Sequence, residues 1–212
     1  ESCGFFRNEI IAQTVMCKLN KIIMKKILIV LILSFGINNV QAQKTISLEA
    51  EGNLESPNPC NCVEIPEITN EHNPADILHG MGKCIKQKDF RKAARLFAIA
   101  GVYGKYDSYK VKDKSAHQAL IVLQQNILMD ISEEDKNNMI AELKQTLEKG
   151  SSELKNVCQE IQKVGIPKYH PKYMIQHGIQ AFIETDGNGL VEDFNSEKSW
   201  KLALESYLHC GE

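Results

Sequence analysis

No catalytic signature stands anywhere in this 212-residue chain. It has no G-x-S-x-G nucleophile turn, no H-E-x-x-H and no glycine-rich phosphate loop. The hydrolases, zinc peptidases and nucleotide-binding enzymes that announce themselves by those patterns are therefore excluded as motif-based readings. Its six histidines form no H-x-x-x-H pair and no C-x-x-C accompanies them, so no local zinc-ligand spacing is present. Basic excess is also missing: 25 Lys and Arg stand against 27 Asp and Glu. A nucleic-acid partner would call for a basic face, so none is expected. Aromatic residues are few, with a single tryptophan at Trp200, and no segment sustains the period-two alternation of a half-buried strand.

Long hydrophobic runs are scarce too, and the one present is short. Residues 24–43 read MKKILIVLILSFGINNVQAQ: Lys25 and Lys26, an apolar run over 27–37, then small Val40 and Ala42 in a V-x-A arrangement. This is the layout of a bacterial secretory signal over residues 24–42, too short to span a bilayer. Residues 1–23 are set aside as an upstream extension outside the mature protein. The mature chain is then expected to start at Gln43 and to act in the periplasm or as a secreted protein, with no integral membrane segment left. Residues 1–42 hold five basic and two acidic residues, so removing them leaves 20 against 25, a net charge of −5 over residues 43–212. That length suits one domain with a proper core.

Five cysteines remain, Cys60, Cys62, Cys84, Cys158 and Cys210, and in an oxidising compartment all are disulfide candidates. An odd number leaves one unpaired within the chain. Cys84 and Cys158 both lie on apolar helix faces and are expected to pair, with the Cys60/Cys62 segment tied to Cys210. Buried thiols are the alternative for Cys84 and Cys158.

Residues 43–73 carry three of the six prolines, Pro57, Pro59 and Pro66, and read as an extended arm pinned on the surface. The helical domain spans 74–212. Asn73-Pro74 is a cap followed by proline in the first turn, and Ile77, Leu78, Met81, Cys84 and Ile85 follow at helical spacing. A helix from Phe90 is apolar nearly all round and is expected at the centre of a bundle. Ser115 with Gln118 reads as a capping box for a largely buried helix carrying Ala119, Leu120, Leu123, Ile127 and Leu128. Ser132, followed by Glu133, Glu134 and Asp135, opens the next, which closes at Gly150. Ser151 or Ser152 starts another that ends at Gly165. Residues 172–183 read as helical, and 196–208 form the last helix, anchored by Trp200. The fold class is all-α: a single-domain bundle of about seven helices with an extended N-terminal arm.

Two local resemblances follow. In GKCIKQKDFRKAARLFAIAG, residues 82–101, Gly82, the Asp89-Phe90 turn and Ala94 fall where a tetratricopeptide or Sel1-type repeat places a small residue, its turn and its helix contact. The stretch resembles such a helical hairpin, departing from it at Ala98 and Gly101, and no second copy recurs at a fixed interval. A generic helical hairpin is the alternative. Residues 184–195, ETDGNGLVEDFN, resemble an EF-hand calcium loop: Glu184, Asp186 and Asn188 at the first, third and fifth ligand positions, Gly189 at the sharp turn, and the Leu190 carbonyl at the seventh. Asn195 stands where that family has a bidentate Glu. The resemblance implies weak calcium binding at most, with a tight turn between helices as the alternative; no other cofactor is expected.

Tyr103, Tyr106 and Tyr109 recur every three residues beside Lys105, Lys110, Lys112 and Lys114, and are the candidate binding residues. A solvated connection whose rings pack down is the competing reading. No catalytic residues are assigned, and an enzyme is not the favoured reading. The expectation is an exported helical domain that binds a protein partner. A periplasmic inhibitor or immunity protein, and a cell-envelope enzyme whose site is assembled only on folding, are the alternatives.

Overall fold

Asn73 sets where the helical body begins. In the computed structural model, which describes residues 49–183 and 187–211, its side chain accepts from the Asp76 amide while Asp76 reaches back to the Asn73 amide at 3.0 Å. With Pro74 at the first position, this reciprocal cap starts α1 (Pro74–Lys86). Lys88, at positive φ, turns the chain, and Asp89 caps α2 (Phe90–Lys110). The expected signal segment 24–42 and the extension 1–23 lie outside the described residues, as do Glu184 and Asp186.

α2 is the axis of the domain. Leu96, Ala98, Ile99, Ala100 and Val102 are all fully buried on it, as an all-round apolar sequence requires. Around it stand α1, α3 (Ala119–Met129), α4 (Glu133–Thr146), α5 (Ser152–Val164), the short α6 (Lys172–Ile175) and α7 (Ser196–Leu208). Three 3-10 turns, Ile65–Glu67, Lys114–Gln118 and Ile179–Phe182, complete an all-α architecture with no strand among the described residues. Ser132 accepts from the Asp135 amide to start α4, Ser151 from Leu154 to start α5, and Gly165 at φ +88° ends α5.

Several expectations are corrected. The connection expected around Tyr103–Lys114 is helical as far as Lys110. Ser115 is not a helix cap; Asp113 accepts from its amide and opens a 3-10 turn before α3 begins. α3 itself lies at the edge, with only Ala119 and Leu123 buried. The helix expected over 172–183 breaks at Gly178, where an added Cβ would run into the Asp113 carboxylate. Asp113 and Ser115 instead accept from the amides of Gln180 and Ile179, capping a separate 3-10 turn.

The arm from residue 49 is docked along α1. The Cys60 amide donates to the Asp76 carbonyl, Ser56 and the Asn58 amide donate to the Asp76 carboxylate, and Lys83 Nζ donates to the Cys60 carbonyl. This register brings Cys62 to Cys84, and the two are disulfide-bonded with Cα atoms 4.8 Å apart. Packing of α5 on α7 brings Cys158 to Cys210, also bonded, at 5.7 Å. The pairing of Cys84 with Cys158 is thereby overturned: Cys84 faces the arm, not α5. Among the described residues Cys60 is the free cysteine, and it is buried.

α1 and α2 do form a helical hairpin. The small residues of the repeat-like stretch serve other neighbours, however. A Cβ on Gly82 would meet Ile127 of α3 at 2.9 Å, and one on Gly101 would overlap the Tyr207 ring of α7.

Candidate functional site

Tyr103, Tyr106 and Tyr109 follow one face of α2, and that face turns inward. Tyr103 is 0% exposed and donates to the Gly165 carbonyl at 3.0 Å; Tyr106 is 2% exposed and bonds Ser196 Oγ at 2.8 Å. Both rings meet Trp200 edge-on, and Tyr106 meets Phe194 likewise. These two are core residues, not a contact surface. Tyr109 is half-buried, with its hydroxyl on Ser206 and Lys105 over its ring.

The calcium-like loop is used as structure. Asn188 Oδ1 accepts from the Leu190 amide at 3.0 Å, a local turn that occupies one expected ligand atom. Leu190 faces Val111 in an isolated antiparallel bridge: Val191 donates to the Lys110 carbonyl and Lys112 to the Gly189 carbonyl. Asn195, at the twelfth loop position, caps α7 by accepting from Lys198. Glu184 and Asp186 lie outside the described residues; among those described, no three His, Cys, Asp or Glu side chains gather as a metal would require.

Two buried charged clusters escaped the sequence reading. Asp107 of α2 is fully buried; its Oδ2 accepts from Tyr169 and Tyr173, each at 2.8 Å, while Oδ1 has no hydrogen-bond partner. Burial pushes this carboxyl up to about 7, opposed by the two tyrosine hydroxyls and by Lys110. The same burial drives Tyr169 and Tyr173 far above the ordinary phenol value. Arg95, 2% exposed, is clasped by Glu64, Glu153 and Glu160 from the arm and α5. The available signal was an acid one turn after Tyr103, and an arginine beside Leu96, on a helix otherwise apolar all round. Together the clusters tie the arm, α5 and the 165–173 connection to α2, and Glu160 of the arginine cluster borders a surface groove.

The histidines do not converge. His117 Nε2 bonds the Val111 carbonyl, His177 Nδ1 bonds Asn53, and His72 Nδ1 accepts from the Thr69 amide. Burial lowers the pKa of His170 and His177, favouring the neutral form. An open groove of about 450 Å³ runs between residues 66–70 of the arm and the end of α5, with Glu160 and Lys163 on its wall. No helix among the described residues is long and apolar enough to cross a membrane.

The surface feature that stands out is the 3-10 turn after Gly178. Ile179, Phe182 and Ile183 are 63%, 53% and 72% exposed. Residues three apart eclipse on a 3-10 turn, so Ile179 and Phe182 share one side and Ile183 adjoins them. The turn is anchored through Asp113 and Ser115, so its backbone is held while its apolar side chains project. Neither its composition nor its periodicity distinguished this segment from an ordinary helix. No protein-family model matches the chain, and no curated protein or solved structure matches it.

Proposed function

We propose that this domain is a protein-binding module working outside the cytoplasm, and that the 179–183 turn is its contact. The observation that carries the reading is the exposed apolar trio on an anchored backbone. Three large hydrophobic side chains within five residues, each more than half exposed, form a patch of the kind that marks interaction sites. Two disulfides suit an oxidising compartment, which supports export. A turn that projects, rather than a groove that receives, also favours the inhibitor reading, in which Ile179 and Phe182 enter a partner's cleft.

The test compares capture by the wild-type protein with capture by an Ile179→Ser, Phe182→Ser, Ile183→Ser variant from a cell-envelope extract, after crosslinking. A partner retained by the first and lost by the second, with matching helical circular dichroism, supports the reading. Identical retention by both would remove this turn from consideration as the contact.

A further inference from the structure

α3 carries apolar residues on its open face as well as on its covered one, where Ile121 and Met129 stand exposed beside Gln125 and Asn126. Its sequence, ALIVLQQNILM, has eight apolar residues of eleven and no charge. A helix of that composition belongs in an interior. Its inward stripe is accounted for at the spacing of one helix face: Leu120 packs where Gly104 has no Cβ, Leu123 is buried, Gln124 bonds Tyr207, and Ile127 packs at Gly82. The outward stripe is Ile121, Gln125 and Met129 at intervals of four, with half-buried Val122 beside them. Ile121 is 51% exposed and Met129 75%. Gln125, at the middle of the helix, is exposed as well.

The charges lie beyond the two ends of α3, and they are opposite. Lys112 and Lys114, both exposed, precede it; Asp130, Glu133 and Glu134, all exposed, follow it. Asp113, on the basic side, has both carboxylate oxygens engaged within the domain. Glu133 is paired with Lys136, leaving Asp130 and Glu134 as the other exposed acids of the far end.

We propose that α3 is the interface of a two-fold homodimer, packed antiparallel on the α3 of a second copy. Eleven residues span about 16 Å. A two-fold axis through Gln125 lays the basic end of each helix over the acidic end of its partner, and the two helix dipoles run opposed. The outer row at intervals of four meets its own copy as ridge into groove. An acidic far end argues against an anionic lipid surface as the occupant, whereas a second copy supplies the complement of both ends. One helix of eleven residues is a short contact beside the roughly 800 Å² per partner of a standard interface, so the dimer is expected to be reversible and concentration-dependent.

Sedimentation equilibrium on protein recovered from the cell envelope tests this. The wild type is expected to show a monomer–dimer equilibrium. Gln125→Glu, which sets two carboxylates together on the axis, is expected to weaken it at least tenfold while circular dichroism and melting stay unchanged. Lys114→Glu is expected to weaken it as well, and adding Glu134→Lys to that variant is expected to restore it, because Lys114 lies eleven residues before the axis and Glu134 nine beyond it. A monomer at every concentration, a dimer indifferent to Gln125→Glu, or co-sedimentation of the wild type with phosphatidylcholine vesicles would overturn the assignment.

Discussion

Asp107 is a carboxyl that the fold holds without water, and its protonation is linked to stability. In an unfolded chain it ionises near 3.8; in the folded domain burial moves it to about 7. Between those values the native state keeps a proton that the unfolded state has released, so this group favours folding most in acid. Its contribution is complete below about pH 4 and fades as pH rises towards 7. The charged and titratable neighbours are Tyr169, Tyr173, Tyr103 and Lys110; the tyrosines stay neutral over that range. From pH 5 to 7 the loss amounts to roughly 2 kcal/mol at 1.4 kcal/mol per unit. Asp107→Asn keeps an acceptor for the two hydroxyls but cannot titrate. Denaturant melts of both proteins across that range should therefore show the wild type losing stability relative to the variant as pH rises. Parallel curves would mean that the carboxyl titrates alike folded and unfolded. None of this was readable from spacing, because an isolated Asp on a helix looks the same whether its face turns in or out.

Helices were legible where their ends carry local chemistry. Asn73-Pro74, Ser132 and Gly165 each satisfy or end backbone groups within a few residues and stand where the sequence placed them, and of the two serines open as the start of α5 it is Ser151 that caps. What distant side chains decide was not legible. The helical pattern breaks at Gly178, where Asp113 and Ser115 take the amides of Gln180 and Ile179, and the run Tyr103–Lys110 reads polar although Tyr103 and Tyr106 close the core. The candidate site suffered most: Tyr103 and Tyr106, chosen as binding residues, proved buried, and the exposed trio at 179–183 lay in a stretch read only as helical. Gly101 shows the same dependence on a distant partner. In an isolated helix Gly101→Ala would stabilise by about 1 kcal/mol. Here the methyl meets the Tyr207 ring, and overpacking costs about 1–3 kcal/mol. The net effect is expected to be destabilising, and the cost should shrink on a Tyr207→Ala background, as a double-mutant cycle by urea melts will read. Equal effects on both backgrounds would place the strain elsewhere.

At the scale of the whole domain, two covalent ties hold the chain at opposite ends of its helical order. Cys62–Cys84 fixes the arm to α1 across 22 residues, and Cys158–Cys210 fixes the chain's last turn to α5 across 52. Chain-entropy arguments give about 3 and about 4 kcal/mol for loops of those lengths, a large part of the 5–15 kcal/mol that keeps a typical domain folded. A domain built this way suits a compartment where disulfides persist, and the fifth thiol allows that to be tested by counting. Cys60 is buried, and burial, with Asp76 nearby and Lys83 opposing, pushes its thiol up to about 11, so it should react slowly with a thiol reagent in the native protein near neutral pH. Unfolded without reductant, protein recovered from cells should then release one thiol per chain if residues 1–42 have been removed. It should release three if Cys3 and Cys17 remain as thiols. Five or more would mean that at least one tie had not formed, and export would lose structural support; one, together with an amino terminus at Gln43, would tie the leader, the compartment and the two disulfides into a single account.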